Sequence, residues 1–252
     1  MKHRLPFAVL YEDARLIAID KPAGLLTTHT HLAGRAAREA QRTAENILTG
    51  YIRKGQAKSQ RRAWLVHRLD RETSGVLLFA KSSELAEALR DNWNEYASKT
   101  YLALAEGEIP EDEGAITSYL RDDPRTYKVS SVKNPADGKY ARTSWRKLRS
   151  EKGSTLLEVK IYTGRKNQIR AHLSESGHPI AGDVKYGAHK ADRLYLHAWK
   201  LALVAPALGI NLKLESPPPK QLSPKPPKEI NHEKTLCNRP HAVSLQGAFC
   251  IP

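Results

Sequence analysis

The chain predicts a single strand-rich α+β domain followed by a tail, and three observations carry that reading. Nine short apolar runs have strand length, only three stretches have helical spacing, and the 40% hydrophobic share of its 252 residues allows an ample core. Beyond residue 215 the composition shifts: eight of the fifteen prolines fall in the last 37 residues. Residues 1–215 are therefore expected to form the domain, and 216–252 an extended or disordered tail.

Taken in order, Phe7–Tyr11 and Leu16–Asp20 predict two strands joined by a turn at Glu12-Asp13-Ala14-Arg15, after which Lys21-Pro22-Ala23-Gly24 breaks the pattern. A helix is expected near Thr43–Lys54. Val76-Leu77-Leu78-Phe79-Ala80 reads as a buried strand, and Ser83 is placed to cap a helix whose Leu85, Leu89, Trp93 and Tyr96 share one face. Strands are expected at Lys99–Ala105, Gly114–Tyr119, Ala141–Leu148 and Thr155–Tyr162, then a helix from near Asn167 to before Gly177. Leu194–Val204 and Ile210–Leu214, around Ala205-Pro206-Ala207-Leu208-Gly209, predict a closing hairpin.

The net charge is +14, from 41 Lys+Arg against 27 Asp+Glu. Five basic and two acidic residues in the tail hold only +3 of it, so +11 stays with the domain. A fold does not require such an excess, and it attracts polyanions, which makes nucleic acid the first partner to consider. The two cysteines, Cys237 and Cys250, make neither a disulfide framework nor a metal-ligand spacing. No apolar run approaches membrane-spanning length and the N-terminal one is cut short by Glu12 and Asp13, so a cytoplasmic protein is expected. His29 and His31 lack a third ligand at a recognisable spacing, and no metal is expected. Glycine-rich phosphate loops are absent from the sequence.

The segment with most chemistry is His67-Arg68-Leu69-Asp70-Arg71-Glu72-Thr73-Ser74-Gly75, which runs straight into the Val76–Ala80 strand. A carboxylate flanked by two arginines and anchored to a rigid element is a candidate nucleophile. The bland alternative is a solvated surface ion pair worth little.

Three segments in order then weigh against the bland account: Asp20-Lys21-Pro22-Ala23-Gly24, His67–Lys81, and Thr163-Gly164-Arg165-Lys166-Asn167-Gln168-Ile169-Arg170-Ala171-His172-Leu173 running into Gly177–Asp183. Together with Lys99-Thr100-Tyr101 and Leu196-His197-Ala198 they resemble the RluA-type family of RNA pseudouridine synthases from about Tyr11 to Pro217. The resemblance implies a large mixed, mostly antiparallel sheet with a central RNA-binding cleft. It implies Asp70 as the catalytic aspartate, Tyr101 as the aromatic packed on the target base, and Arg170 as the arginine paired with Asp70. It further implies Arg68 in the gap left by the flipped nucleotide, Ile169 near the uracil, and Gly75 with its strand supporting the loop. One departure stands out, since the family commonly has Lys-His-Gln where this chain has Lys166-Asn167-Gln168.

Isomerising uridine breaks the bond from N1 to ribose, turns the uracil and rejoins ribose to C5, with no redox step or outside atom, so no cofactor is expected. The carboxylate can attack covalently or assist loss and recapture at the anomeric carbon. A phenol at Tyr101 that reaches C5 could also help remove its proton. The resemblance starts too early to leave room for the small RNA-binding module that some relatives carry in front. RNA, transfer or ribosomal, is thus expected to be gripped by the domain through His67, Arg68, Arg71, Arg61, Arg62, Arg165, Lys166 and Ile169, with Arg35, Arg38, Arg53 and Lys54 adding charge. A monomer without an obligate protein partner is expected. The rival readings are a non-catalytic RNA-binding or ribosome-associated protein of the same fold and a hydrolase of nucleosides or nucleic acids using one carboxylate, the latter disfavoured because only Glu72 could pair with Asp70.

Overall fold

In the computed structural model, β1 (Val9–Glu12) and β2 (Leu16–Lys21) pair antiparallel around Asp13, whose Oδ1 accepts the N–H groups of Arg15 and Leu16 at 2.7 and 2.6 Å. The structure describes residues 5–29, 41–54, 56 and 58–224. Arg35, Arg38, His31 and both cysteines lie outside them. There follow α1 (Ala44–Arg53), β3 (Trp64–Leu65), β4 (Ser74–Ala80), α2 (Ser83–Asp91), α3 (Trp93–Tyr96), β5 (Ala97–Glu106), β6 (Glu113–Asp122), β7 (Val129–Val132), β8 (Lys139–Glu151), β9 (Ser154–Ile161), α4 (Gln168–Glu175), β10 (Leu196–Ala205) and β11 (Ile210–Glu215).

The strands form one sheet in the order β1-β2-β4-β10-β5-β9-β8-β6-β7, with β11 on β10 and β3 on β4. Every pairing is antiparallel except that of β4 with β10, so the sheet is mixed and mostly antiparallel and the fold is α+β. Its middle strands read as unbroken apolar runs because both faces are covered. Along β4, Leu77 and Phe79 enter one core with Ile17, Ile19, Tyr101 and Val159, beneath Leu48 of α1 and Ile169 of α4. Val76, Leu78 and Ala80 enter the opposite core with Leu16, Ala18 and the α2 residues Ala86 and Leu89. Each such Leu or Phe contributes roughly 1.5–3 kcal/mol on burial.

The helices start where side chains satisfy their first N–H groups. Thr43 accepts from Asn46 N and so opens α1 where expected. At α2 the capping residue is Ser82, which accepts from Leu85 N, rather than Ser83. The single amphipathic helix expected through Tyr96 is also broken at Asn92, whose φ of −116° and ψ of 19° leave the helical region. Two short strands without a sequence signature appear, β3 and β7, the latter reading Val-Ser-Ser-Val. Residues 216–224, expected to belong to an extended tail, are packed: Ser216 and Leu222 are fully buried, and Leu222 lies against Leu102 and Leu156 on the sheet. Arg149 reaches the carbonyls of Gln221 and Ser223 at 2.8 and 2.7 Å and holds this segment down.

Candidate active site

The loop between β3 and β4 is held almost entirely through its backbone. Thr27 Oγ1 donates to Leu69 O at 2.7 Å and accepts from Leu69 N at 3.3 Å. One residue beyond Asp70, Arg71 O accepts from Gly24 N at 2.8 Å and from Lys21 Nζ at 3.0 Å. Lys21 is fully buried and also donates to Pro22 O and Leu25 O, at 3.0 and 2.8 Å. Burial pushes its ammonium down to about 8, partly offset by the charges of Glu72 and Asp70. The Asp20–Gly24 motif is thus a clamp on the loop that presents Asp70. The loop then enters β4 through Gly75, at φ +112°, where a Cβ would sit 2.2 Å from Ala198 O on β10. Only glycine allows the two backbones to pass so closely.

Asp70 is half-buried in a cavity of about 180 Å³ lined by Leu69, Ile161, Ile169 and Leu196 on its apolar side, with Tyr101, Arg68, Arg165, Lys166, Asn167 and Arg170 around the carboxylate. The first turn of α4 brings Arg170 Nη1 to 3.6 Å from Asp70 Oδ2. The guanidinium fork itself is occupied elsewhere: Nε and Nη2 donate to the two oxygens of the buried Asp183, each at 2.7 Å. Arg170 therefore comes to Asp70 already oriented, with its ring-facing side 5.0 Å from the centroid of Tyr186. Burial opposes its charge, but the hydrogen bonds and charge of Asp183 outweigh that and raise its pKa.

Asn167 is the nearest donor to the carboxylate. One amide atom of Asn167 stands 2.7 Å from a carboxylate oxygen and must be the nitrogen, so its oxygen faces Tyr186, whose hydroxyl accepts Val129 N–H at 2.9 Å and donates to Asn167 Oδ1 at 3.2 Å. The amide nitrogen then faces Asp70, donating to Oδ2 at 2.7 Å with Oδ1 at 3.3 Å. The turn leading into α4 is set by Gln168, which accepts from Thr163 Oγ1 and Arg165 N and donates to Arg142 O and Thr143 Oγ1 of β8. Tyr101 is buried on β5 and shares the cavity; burial, with the charge of Asp70, raises its phenol pKa and keeps it protonated. A proton-bearing buried phenol suits packing against a base better than taking a proton from it.

Asp70, Tyr101, Arg170, Arg68, Ile169, Arg165 and Lys166 are thus brought to one cavity, as expected. Arg165 is anchored by Tyr140 O at 2.9 Å, and Lys166 is paired with Asp122 at 2.6 Å. Four of the expected RNA contacts lie off the cavity lining. His67 is absent from the cavity lining; its ring stacks on Trp93 at 4.7 Å and accepts Leu78 N–H at 3.1 Å. Arg71 contributes its carbonyl, while its exposed side chain pairs with Glu72 at 3.0 Å. Arg62 lies over the Trp64 ring at 4.4 Å and pairs with Glu45 at 3.0 Å, and neither it nor Arg61 lines the cavity. Asp183, Tyr186 and Lys21 were present in the motif-bearing segments or beside them, but their contacts join residues far apart in sequence and carry no local spacing signal.

Among solved structures, human RNA pseudouridylate synthase domain containing 4 superposes with a TM-score of 0.68 at 25% identity, over 85% of this chain and 90% of that one. A profile described as RNA pseudouridylate synthase matches residues 15–175. The chain belongs to that family, and within it to the RluA type. It is 36% identical to ribosomal large subunit pseudouridine synthase D of Nitrosomonas europaea over 233 residues, covering 87% of this chain and 64% of that protein. It is 36% identical over 206 residues to an RNA pseudouridine synthase of Zymomonas mobilis, covering 77% and 86%. The chain thus spans just under two thirds of the Nitrosomonas protein's length.

Proposed function

We propose that this protein converts uridine to pseudouridine in RNA, with Asp70 as the carboxylate that acts at the ribose. The observation that carries the proposal is the meeting of Asp70, the pre-oriented Arg170 and the buried Tyr101 around one cavity with apolar walls. Such a pocket suits a base taken out of its stack: Tyr101 and Ile169 offer faces to the uracil, and the cost of unstacking, a few kcal/mol, is offset in part when Arg68 at the exposed mouth fills the vacancy. The apolar walls let the freed uracil turn without leaving, and Asp70 stays at the sugar while the N1–ribose bond gives way to a C5–ribose bond, the proton lost from C5 being matched by one gained at N1.

Arg165 and Lys166 at the cavity rim, with the excess of basic residues over the chain, suit a phosphate backbone beside the extruded nucleotide. Ribosomal RNA is the substrate class we favour, because the Nitrosomonas relative is named for the large ribosomal subunit. Pseudouridine mapping across cellular RNA with and without the protein tests this. Loss of one or more modified sites in ribosomal RNA is expected; an unchanged map, or loss confined to transfer RNA, overturns the activity or the substrate class respectively. Free uracil released from RNA would instead indicate glycosidic hydrolysis.

A further inference from the structure

We infer that Asn167 is the positioning residue for Asp70, selecting which carboxylate oxygen meets the ribose; the inference rests on the reading of Asp70 given above. Its backbone is in the left-handed region at φ 49°, a conformation that costs most non-glycine residues and that asparagine tolerates best. A non-glycine residue kept there at the edge of a reactive cavity is a sign that its side chain has work to do. Its position is the N-cap of α4, where an asparagine ordinarily accepts an N–H from the first helical turn, yet it makes no such bond. Its amide is turned instead toward Asp70 and Tyr186.

The neighbouring cation cannot do the same task. Arg170 spends its fork on Asp183, and its remaining nitrogen stands 3.6 Å from Asp70, longer than a hydrogen bond. The direction of the Asn167 amide follows from its 2.7 Å approach to Asp70 Oδ2, where only the nitrogen can stand, and the Tyr186 hydroxyl, itself held by Val129 N–H, then donates to the amide oxygen. A chain of donors therefore runs from β7 to Asp70 Oδ2. Oδ2 takes the 2.7 Å bond and the Arg170 charge while Oδ1 has only the longer, 3.3 Å bond, which makes Oδ1 the less encumbered oxygen and the one assigned to the ribose. Histidine is the conservative replacement here, because it has a ring N–H to donate and tolerates the left-handed backbone.

The test uses Asn167→Gly and Asn167→His in the full chain. Glycine keeps the left-handed backbone without strain and deletes only the amide, so folding is preserved. Under single-turnover conditions with saturating RNA, Asn167→Gly is expected to slow pseudouridine formation by about 10–100-fold. RNA affinity should stay within about threefold, because phosphate contacts set it. Asn167→His is expected to recover most of the rate. In the RNA-free protein, three-bond NMR couplings of Asp70 should report one side-chain rotamer in the wild type and in Asn167→His, and averaged rotamers in Asn167→Gly. A wild-type rate or a single Asp70 rotamer in Asn167→Gly overturns the inference, as does a loss that Asn167→His leaves uncorrected. If the wild-type protein forms no pseudouridine, the proposed activity fails, and the RNA-free couplings still decide the role of Asn167.

Discussion

Lys21 holds three carbonyls of two different segments with one ammonium, and a neutral amine has only two N–H groups for the same three acceptors. Because burial brings its pKa down to about 8, the clamp on the Asp70 loop is predicted to loosen as pH rises through that value. The activity-versus-pH profile should therefore show an alkaline limb near 8. Lys99, also buried and also pushed down to about 8 by burial, is the control: the limb should persist in Lys99→Gln, and its disappearance there would assign it to Lys99. At this scale the sequence exposed the residues that gather at the cavity but not their wiring. Arg170 was legible as the partner of Asp70, whereas its stronger tie to Asp183 joins a helix to a turn thirteen residues on, and no periodicity encodes that. His67 is a similar case: it lies three residues before Asp70 in the loop between β3 and β4, and no spacing encodes its stack on Trp93 or its bond from Leu78 N–H.

Strand β4 is the element that converts the motif into a site, and two of its neighbours make testable demands. Gly75→Ala would place a methyl group against Ala198 O and force a backbone angle that side chains avoid. A loss on the order of 3 kcal/mol or more is predicted, measured by urea unfolding, together with loss of the parallel pairing that aims Asp70. An alanine variant of wild-type stability would contradict the close approach. His67, stacked on Trp93, is pushed down to about 3, chiefly by burial and then by the charge of Lys99. An unfolded chain binds that proton at about 6.5, so between the two values the unfolded state holds more protons and stability falls as pH drops, by about 1 kcal/mol per pH unit. His67→Phe, which keeps the stack, should flatten the fall of melting temperature between pH 6.5 and 4; an equally steep fall would place the acid sensitivity elsewhere. Long strands with covered faces announced themselves as apolar runs. The two residues of β3 and the Val-Ser-Ser-Val of β7 did not, because too few positions exist for a pattern to emerge.

Across the molecule, one mixed sheet places its two largest apolar cores on opposite faces and leaves the Asp70 cavity open beside β5, β9 and α4. The basic excess was legible as an attraction to polyanions, but composition could not say which cations reach the cavity. Arg68, Arg165 and Lys166 do, while Arg62 is spent on Glu45 and Trp64. Residues 216–224 were misjudged because prolines count against regular structure without preventing a short segment from docking by one leucine and a few carbonyls. The central claim is that one side chain, Asp70, performs the isomerisation while the rest of the molecule binds and aims the RNA. Single-turnover conversion of a uridine-containing substrate by Asp70→Asn, measured alongside its RNA affinity, tests it most directly. The account predicts no detectable pseudouridine with affinity within about threefold of the wild type; appreciable turnover by Asp70→Asn would contradict it.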